Sequence, residues 1–358
     1  MTPNDIVLHR LAAQQLSTSP TWDAVELVTW FGAIQAQEYA QTKWSIGLRL
    51  PQLNDKAIEQ EISDGRLIRT HLLRPTWHLV AAADLRWLLM LTAPRVNAIN
   101  AYMYRKMEID AALFKRCHRI ITKALEGNNH LTREELQHTL ANHKIKAEGT
   151  RLACILMESE LGALICSGAK RDKQFTYALL EERVSPVKEK TKDEALAELT
   201  RRYFKSRGPA SIKDYATWSG LTIADCRKGI GLAGSSFVQE KVGDDLYYLD
   251  ATAGKLPVTQ GIQLLPIYDE YVMGYKNREA SLQFIKSIRQ FFSLDNSIVQ
   301  KGQVIGAWKR TIRPNTIALE YKLFKPLTRP EQADLNKQIA RFGAFYNLPV
   351  TVSLSKEE

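Results

Sequence analysis

Apolar residues near the start of the chain recur at helical spacing. Ile6, Leu8, Leu11 and Leu16 predict a helix over Asp5–Leu16. Ser19-Pro20-Thr21 introduces a second helix over Trp22–Phe31, which Gly32 ends, and a third near Lys56–Ile62 stops at Asp64-Gly65. Two extended runs follow, Leu67–Leu73 and Trp77–Ala81, interrupted by Pro75. Three helices and then a two-stranded ribbon is the order of a winged helix.

That order returns twice. Thr132 with Glu135 three residues later is a capping-box signal, and a helix near Arg151–Leu161 leads into two strand-like runs, Gly162–Lys170 and Gln174–Ala178. The polar stretch Val184–Asp193 reads as a linker. Beyond it come helices near Glu194–Lys205, Ser211–Ser219 and Ile223–Ile230, then strands Phe237–Val242 and Leu246–Leu249 about the Gly243-Asp244-Asp245 turn. The last third changes character. Leu264–Tyr271 reads as a strand running into a loop, Val299–Trp308 and Thr316–Phe324 read as β segments, and Thr328 with Glu331 caps a final helix carrying Leu335, Ile339, Phe342 and Tyr346 on its core face. The expected fold is mainly α with small β ribbons (α+β). It comprises three tandem winged-helix units over 1–94, 95–183 and 193–256, then a β-containing region over 257–358.

Composition narrows the class. A chain of 358 residues fits two to four compact units. No apolar run approaches the ~20 residues that cross a bilayer, and the start lacks a signal-peptide pattern, so the expectation is a cytoplasmic protein without a membrane partner. Cys117, Cys154, Cys166 and Cys226 are scattered, which predicts buried thiols rather than disulfides or a zinc site. Forty-nine Lys and Arg against 39 acids give a net charge of +10, spread along the chain, and such an excess fits a phosphate-rich partner.

The most informative local feature is Gln35-Ala36-Gln37. In an extended segment the two carboxamides point the same way, and each offers both an acceptor and donors without becoming charged. Glu38 is a competing carboxylate, although alternation turns it away from the glutamines. His71 and His78 lack a third ligand at a familiar spacing, so no metal is expected. Past Pro75, Thr76 and His78 share one strand face, with His78 placed to hydrogen-bond within a site or to phosphate. Arg69 and Arg74 are candidates for phosphate contacts or for supporting the site. Asp269 and Glu270 read as a clamp for arginine or backbone amides. Seven Lys/Arg and one acid lie between Lys301 and Arg329; Trp308, Lys309, Arg310 and Arg313 among them suggest a hairpin that meets nucleic acid.

Four segments together resemble the AlkZ/YcaQ-like bacterial winged-helix DNA glycosylases. They are Gln35-Ala36-Gln37, which resembles the Gln-x-Gln branch of that family; Arg69–His78; Arg207–Leu221; and Leu264–Glu270 with Arg278 and Gly306-Ala307-Trp308. The turn Gln300–Gly302 departs from the pattern, since relatives often carry an acid there. The resemblance implies three winged helices curled into a C-shaped, concave DNA-binding surface and a monofunctional hydrolase without cofactor, metal or Schiff-base lysine. It would excise purines alkylated at guanine N7 and, as in some relatives, unhook interstrand crosslinks. The implied partner is double-stranded DNA carrying alkylated bases, met by a monomer. Gln37 would then orient water and stabilise charge at C1′, with Gln35 holding the water or the base. A non-enzymatic winged-helix regulator is the competing reading, because it needs only fold and charge.

Overall fold

The computed structural model describes residues 1–254, 261–285 and 296–354. Helix α1 (Pro3–Ala13) is capped by Thr2, and α2 (Ala24–Phe31) by Asp23; Gly32, at φ 75°, ends α2 and turns the chain into strand β1 (Ile34–Gln35). Next come α3 (Tyr39–Arg49), α4 (Asp55–Ser63), and strands β2 (Leu67–Leu72) and β3 (Thr76–Ala81). Helix α3 is an addition to the sequence expectation. Thr42–Arg49 are all buried, so the helix has no polar face and shows no amphipathic period.

Helix α5 (Ala82–Lys106) leaves β3 directly and runs through the expected 94/95 boundary with Pro94 inside it. After α6 (Ala111–Leu125) come β4 (Leu131–Thr132), α7 (Arg133–Asn142), α8 (Gly149–Leu161), β5 (Ile165–Ser167), β6 (Thr176–Leu179) and the single turn α9 (Leu180–Arg183). Neither α5 nor α6 was among the expected helices. The third stretch holds α10 (Lys192–Arg207), β7 (Ala210–Ser211), α11 (Ile212–Ser219), α12 (Ile223–Ala233), β8 (Phe237–Val242) and β9 (Asp245–Asp250). Each stretch builds a three-stranded sheet of one order, β1-β3-β2, β4-β6-β5 and β7-β9-β8, in which a two-residue strand joins the outer edge of a hairpin.

The final region is a five-stranded sheet, β10-β11-β12-β13-β14, made by Ile262–Leu265, Asn296–Gln300, Gln303–Arg313, Thr316–Leu323 and Val350–Leu354. The stretch read as one β segment over Val299–Trp308 divides at the Lys301-Gly302 turn, where both residues have positive φ. The short helix α13 (Glu270–Met273) follows β10, and helix α14 (Arg329–Tyr346) packs on this sheet through Leu335, Ile339 and Phe342. The same core takes in Leu27, Phe31 and Trp44 from the first stretch, so the two ends of the chain share one apolar interior. A second core joins Ile68 and Leu72 to Tyr203, Tyr215 and Trp218, and Tyr104–Leu179 hold a third. The glutamine pair lies where the first two cores meet, since Ile34 belongs to one and Ala33 to the other. All four cysteines are buried and free. Among the described residues no helix is long and apolar enough to cross a membrane.

Candidate active site at the glutamine pair

The backbone from Gln35 to Ala36 is fixed from four directions. Gln35 stands opposite His78 in the ladder between β1 and β3, and Ala36 donates its N–H to Trp77 O at 2.7 Å. Arg69 Nε donates to Ala36 O at 3.0 Å from β2, and the Gln35 N–H donates to Glu270 Oε1 at 2.8 Å. The Thr42 hydroxyl, one turn into α3, donates to Gln35 O at 3.2 Å.

Glu270 is the hub beneath the pair and is fully buried. Its Oε2 accepts from Arg207 Nη2 (2.7 Å) and Nε (3.1 Å) and from Trp218 Nε1 (2.9 Å). Arg207 also donates to Phe31 O and Ala33 O, clamping the end of α2 and the approach to β1. Beside it, Asp269 takes a bidentate pair from Arg49 and a hydrogen bond from Ser45; burial opposes its charge, but those donors hold its carboxyl below the ordinary value. The clamp reading of Asp269 and Glu270 thus describes their contacts.

The two carboxamides have different surroundings. Gln35 is 5% exposed, and its Oε1 accepts from Arg74 Nη2 at 3.0 Å. Arg74 spends its other arm on Trp218 O at 2.5 Å and Thr217 O at 3.3 Å. This explains the Trp218-Ser219-Gly220 motif: Gly220, at φ 70°, lies against Leu73 O, where a Cβ would strike the carbonyl. Gln37 lies in a bend just before α3 and is exposed, with Oε1 accepting the Trp77 N–H at 3.3 Å. A guanidinium and a backbone N–H only donate, so they assign which end of each amide is oxygen. Glu38 occupies the N-cap of α3, is exposed, and makes no side-chain cap bond.

Several predicted residues sit elsewhere than expected. Arg69 is buried, with its guanidinium 4.1 Å from the Trp77 ring centre, and burial lowers its pKa. Burial likewise lowers Arg74, with Glu270 opposing. Both arginines therefore brace the glutamine segment, which is the supporting role among the two expected for them. His78 is 0% exposed, so a phosphate cannot reach it. Burial, and then Arg74, hold it well below 6.5; as a neutral ring its Nδ1–H donates to Thr76 O at 3.0 Å, while Nε2 is buried without a partner among the described residues. Thr76 Oγ1 and Thr70 Oγ1 are buried and unpartnered there too.

Trp308 is a correction. It is 1% exposed, its indole N–H donates to Leu265 O, and its ring meets Phe342 edge-on, all of which make it core. Arg310 is half-buried over the Tyr346 ring, while Lys309 and Arg313 are exposed on the long hairpin of β12 and β13. Sequence reasoning missed Glu160, buried 2.5 Å from His71 Nδ1, and the roles of Arg207 and Arg49. Arg207 and Arg49 lie in the last turns of their helices, where an arginine ordinarily serves the helix dipole.

Three comparisons bear on this arrangement. A family model described as DNA glycosylase AlkZ-like matches residues 28–345. An interstrand DNA cross-link repair glycosylase from Streptomyces sahachiroi is 23% identical over 319 residues, which cover 84% of this chain and 85% of the relative. The structure of Streptomyces sahachiroi DNA glycosylase AlkZ superposes with a TM-score of 0.79 at 20% identity, covering 99% of this chain and 100% of that one.

Proposed function

The chain belongs to the AlkZ-like DNA glycosylase family, and from that premise we propose that it hydrolyses the N-glycosidic bond of N7-alkylated purines in double-stranded DNA, as a monomer. The cross-link repair named for the Streptomyces relative extends the proposed substrates to interstrand crosslinks. The three stretches sharing a strand order are read as tandem winged helices that present the site to the duplex.

One observation carries the catalytic assignment. Gln37 is exposed with its oxygen held by the Trp77 N–H, whereas Gln35 is buried between Glu270 and Arg74. Gln37 is therefore the carboxamide that meets the reacting sugar, and Gln35 supports it. A purine alkylated at N7 already carries positive charge, so the electrons of the C1′–N9 bond pass to the base and it leaves neutral without an acid. The sugar then develops oxocarbenium character. The second lone pair of Gln37 Oε1 faces that charge or accepts from the water that attacks C1′, and the water's proton passes to solvent. Because Trp77 fixes the amide beforehand, little reorganisation accompanies the reaction. Undamaged bases, being poor leaving groups, are spared.

Single-turnover release of free base from an N7-methylguanine duplex tests this. Gln37→Ala should slow release roughly 10- to 1,000-fold while equilibrium binding changes little. Gln37→Asp should keep part of the activity and Glu38→Ala most of it. If Glu38→Ala abolishes release and Gln37→Ala does not, Glu38 is the catalytic group.

A further inference from the structure

Two residues that hold the glutamine segment also line an open cleft of about 680 Å³, within the size range of small-molecule sites. Trp77 and Arg69, whose backbone N–H and guanidinium respectively hold Gln37 and Ala36, form its inner wall. The opposite wall comes from the second stretch: Arg133 at the start of α7, with Lys173, Phe175 and Tyr177 leading into β6. Phe175 is 42% exposed for so large an apolar residue. Its ring lies 5.0 Å from the Arg69 guanidinium, which in turn covers the face of Trp77. His71 takes the Trp77 ring from 3.9 Å as well, so the ring the cleft presents is the exposed Phe175, backed by the Arg69–Trp77 stack, with further basic groups at the rim.

We propose that this cleft is a subsite for a neutral planar aromatic group delivered by the damaged DNA, with the adjoining phosphates at Arg133 and Lys173. An exposed aromatic ring recognises flat π-systems with little regard to sequence. The sign of charge narrows the occupant further. Arg69, Arg133 and Lys173 line the walls against one acid, Glu134, so the balance is positive, the positively charged alkylpurine is disfavoured there, and a neutral ring attached to the lesion is favoured. The cleft makes the bulky part of an adduct a source of binding energy beside the catalytic carboxamide. This deepens the glycosylase reading and rests on it.

Phe175→Ala tests the subsite, with Phe175→Tyr as the variant that keeps a ring; an unchanged melting temperature shows that each is folded. Affinity and single-turnover base release are measured on duplexes carrying N7-methylguanine and on duplexes carrying an N7-guanine adduct with a neutral aryl group. The expected result is a loss of roughly tenfold or more in affinity for the aryl adduct with Phe175→Ala, the size of one lost base–aromatic stack, restored by Phe175→Tyr. Loss confined to the aryl adduct assigns the ring to the adduct, and equal loss on both duplexes assigns it to a nucleobase. No loss on either overturns the proposal. Should the wild-type protein release neither base, the lesion assignment fails, and the affinities still decide the cleft.

Discussion

Replacing Glu270 by Gln changes no volume and removes one charge, so its cost follows from the donors that face the carboxylate. Oε2 accepts from Arg207 twice and from Trp218 Nε1, and Oε1 accepts the Gln35 N–H. Every neighbour is a donor, so wherever the new NH2 points it meets another N–H. With its oxygen toward Arg207 and Trp218, the amide opposes the Gln35 N–H; turned over, it opposes three donors. Arg207 is left as a buried cation without its counter-charge, a loss of about 3–5 kcal/mol in comparable buried pairs. Urea unfolding should show a destabilisation of that size with an unchanged m-value. Base release should fall as well, because the Gln35 backbone hangs on that carboxylate. Arg207→Met, combined with Glu270→Gln, removes the stranded cation, so the double variant should be more stable than the sum of the singles predicts. A cost below about 1 kcal/mol for Glu270→Gln, or strict additivity in the cycle, would show that the hub is not what holds the site.

Replacing Lys309, Arg310 and Arg313 together by Ala should weaken duplex binding and flatten the slope of log affinity against log salt, with stability changed by no more than about 1 kcal/mol; a collapse in stability with affinity intact would make the hairpin structural. His78 should make the protein acid-sensitive. Its folded-state pKa lies well below 6.5, so below pH 6.5 the unfolded chain binds a proton that the folded one refuses. Stability then falls on acidification by up to about 1.4 kcal/mol per pH unit, and the difference in unfolding free energy between wild type and His78→Gln from pH 6.5 to 5 measures it. Gly47→Ala should cost about 1–3 kcal/mol by overpacking, since its Cβ would overlap the buried Phe345 ring; an unchanged melting temperature would show that α14 yields freely.

What the sequence disclosed about the fold was local in origin. The capping boxes at Thr132 and Thr328 are written in residues three apart, and both form. Strands β2 and β3 were legible because Pro75 separates two apolar runs. Helix α3 was hidden for the opposite reason. Lys43, Ser45 and Arg49 scatter polar residues around a helix buried from Thr42 to Arg49, and they make sense only through their partners, which include Asp55, Glu59 and Asp269, the last 220 residues from Arg49. Trp308 was misread although a signal was available. In a strand, neighbours face opposite sides, so the exposure of Lys309 places Trp308 inward.

The site divides along the same line. Gln35 and Gln37 are conspicuous in the sequence because two carboxamides after a helix-ending glycine serve no packing need. Their unequal roles are not, because these depend on Glu270 and Arg74, which approach Gln35 from distant parts of the chain. An amide differs from a carboxylate in having a wrong way round. A carboxylate at position 37 would present oxygen in either orientation, whereas a glutamine presents oxygen to a developing cation only if something prevents the flip. The Trp77 N–H at Gln37 and the Arg74 guanidinium at Gln35 each accept only the oxygen end. A pair of neutral carboxamides therefore needs an orienting donor for each: the Trp77 backbone N–H serves Gln37, and Arg74, which resembles a phosphate contact in the sequence, serves Gln35.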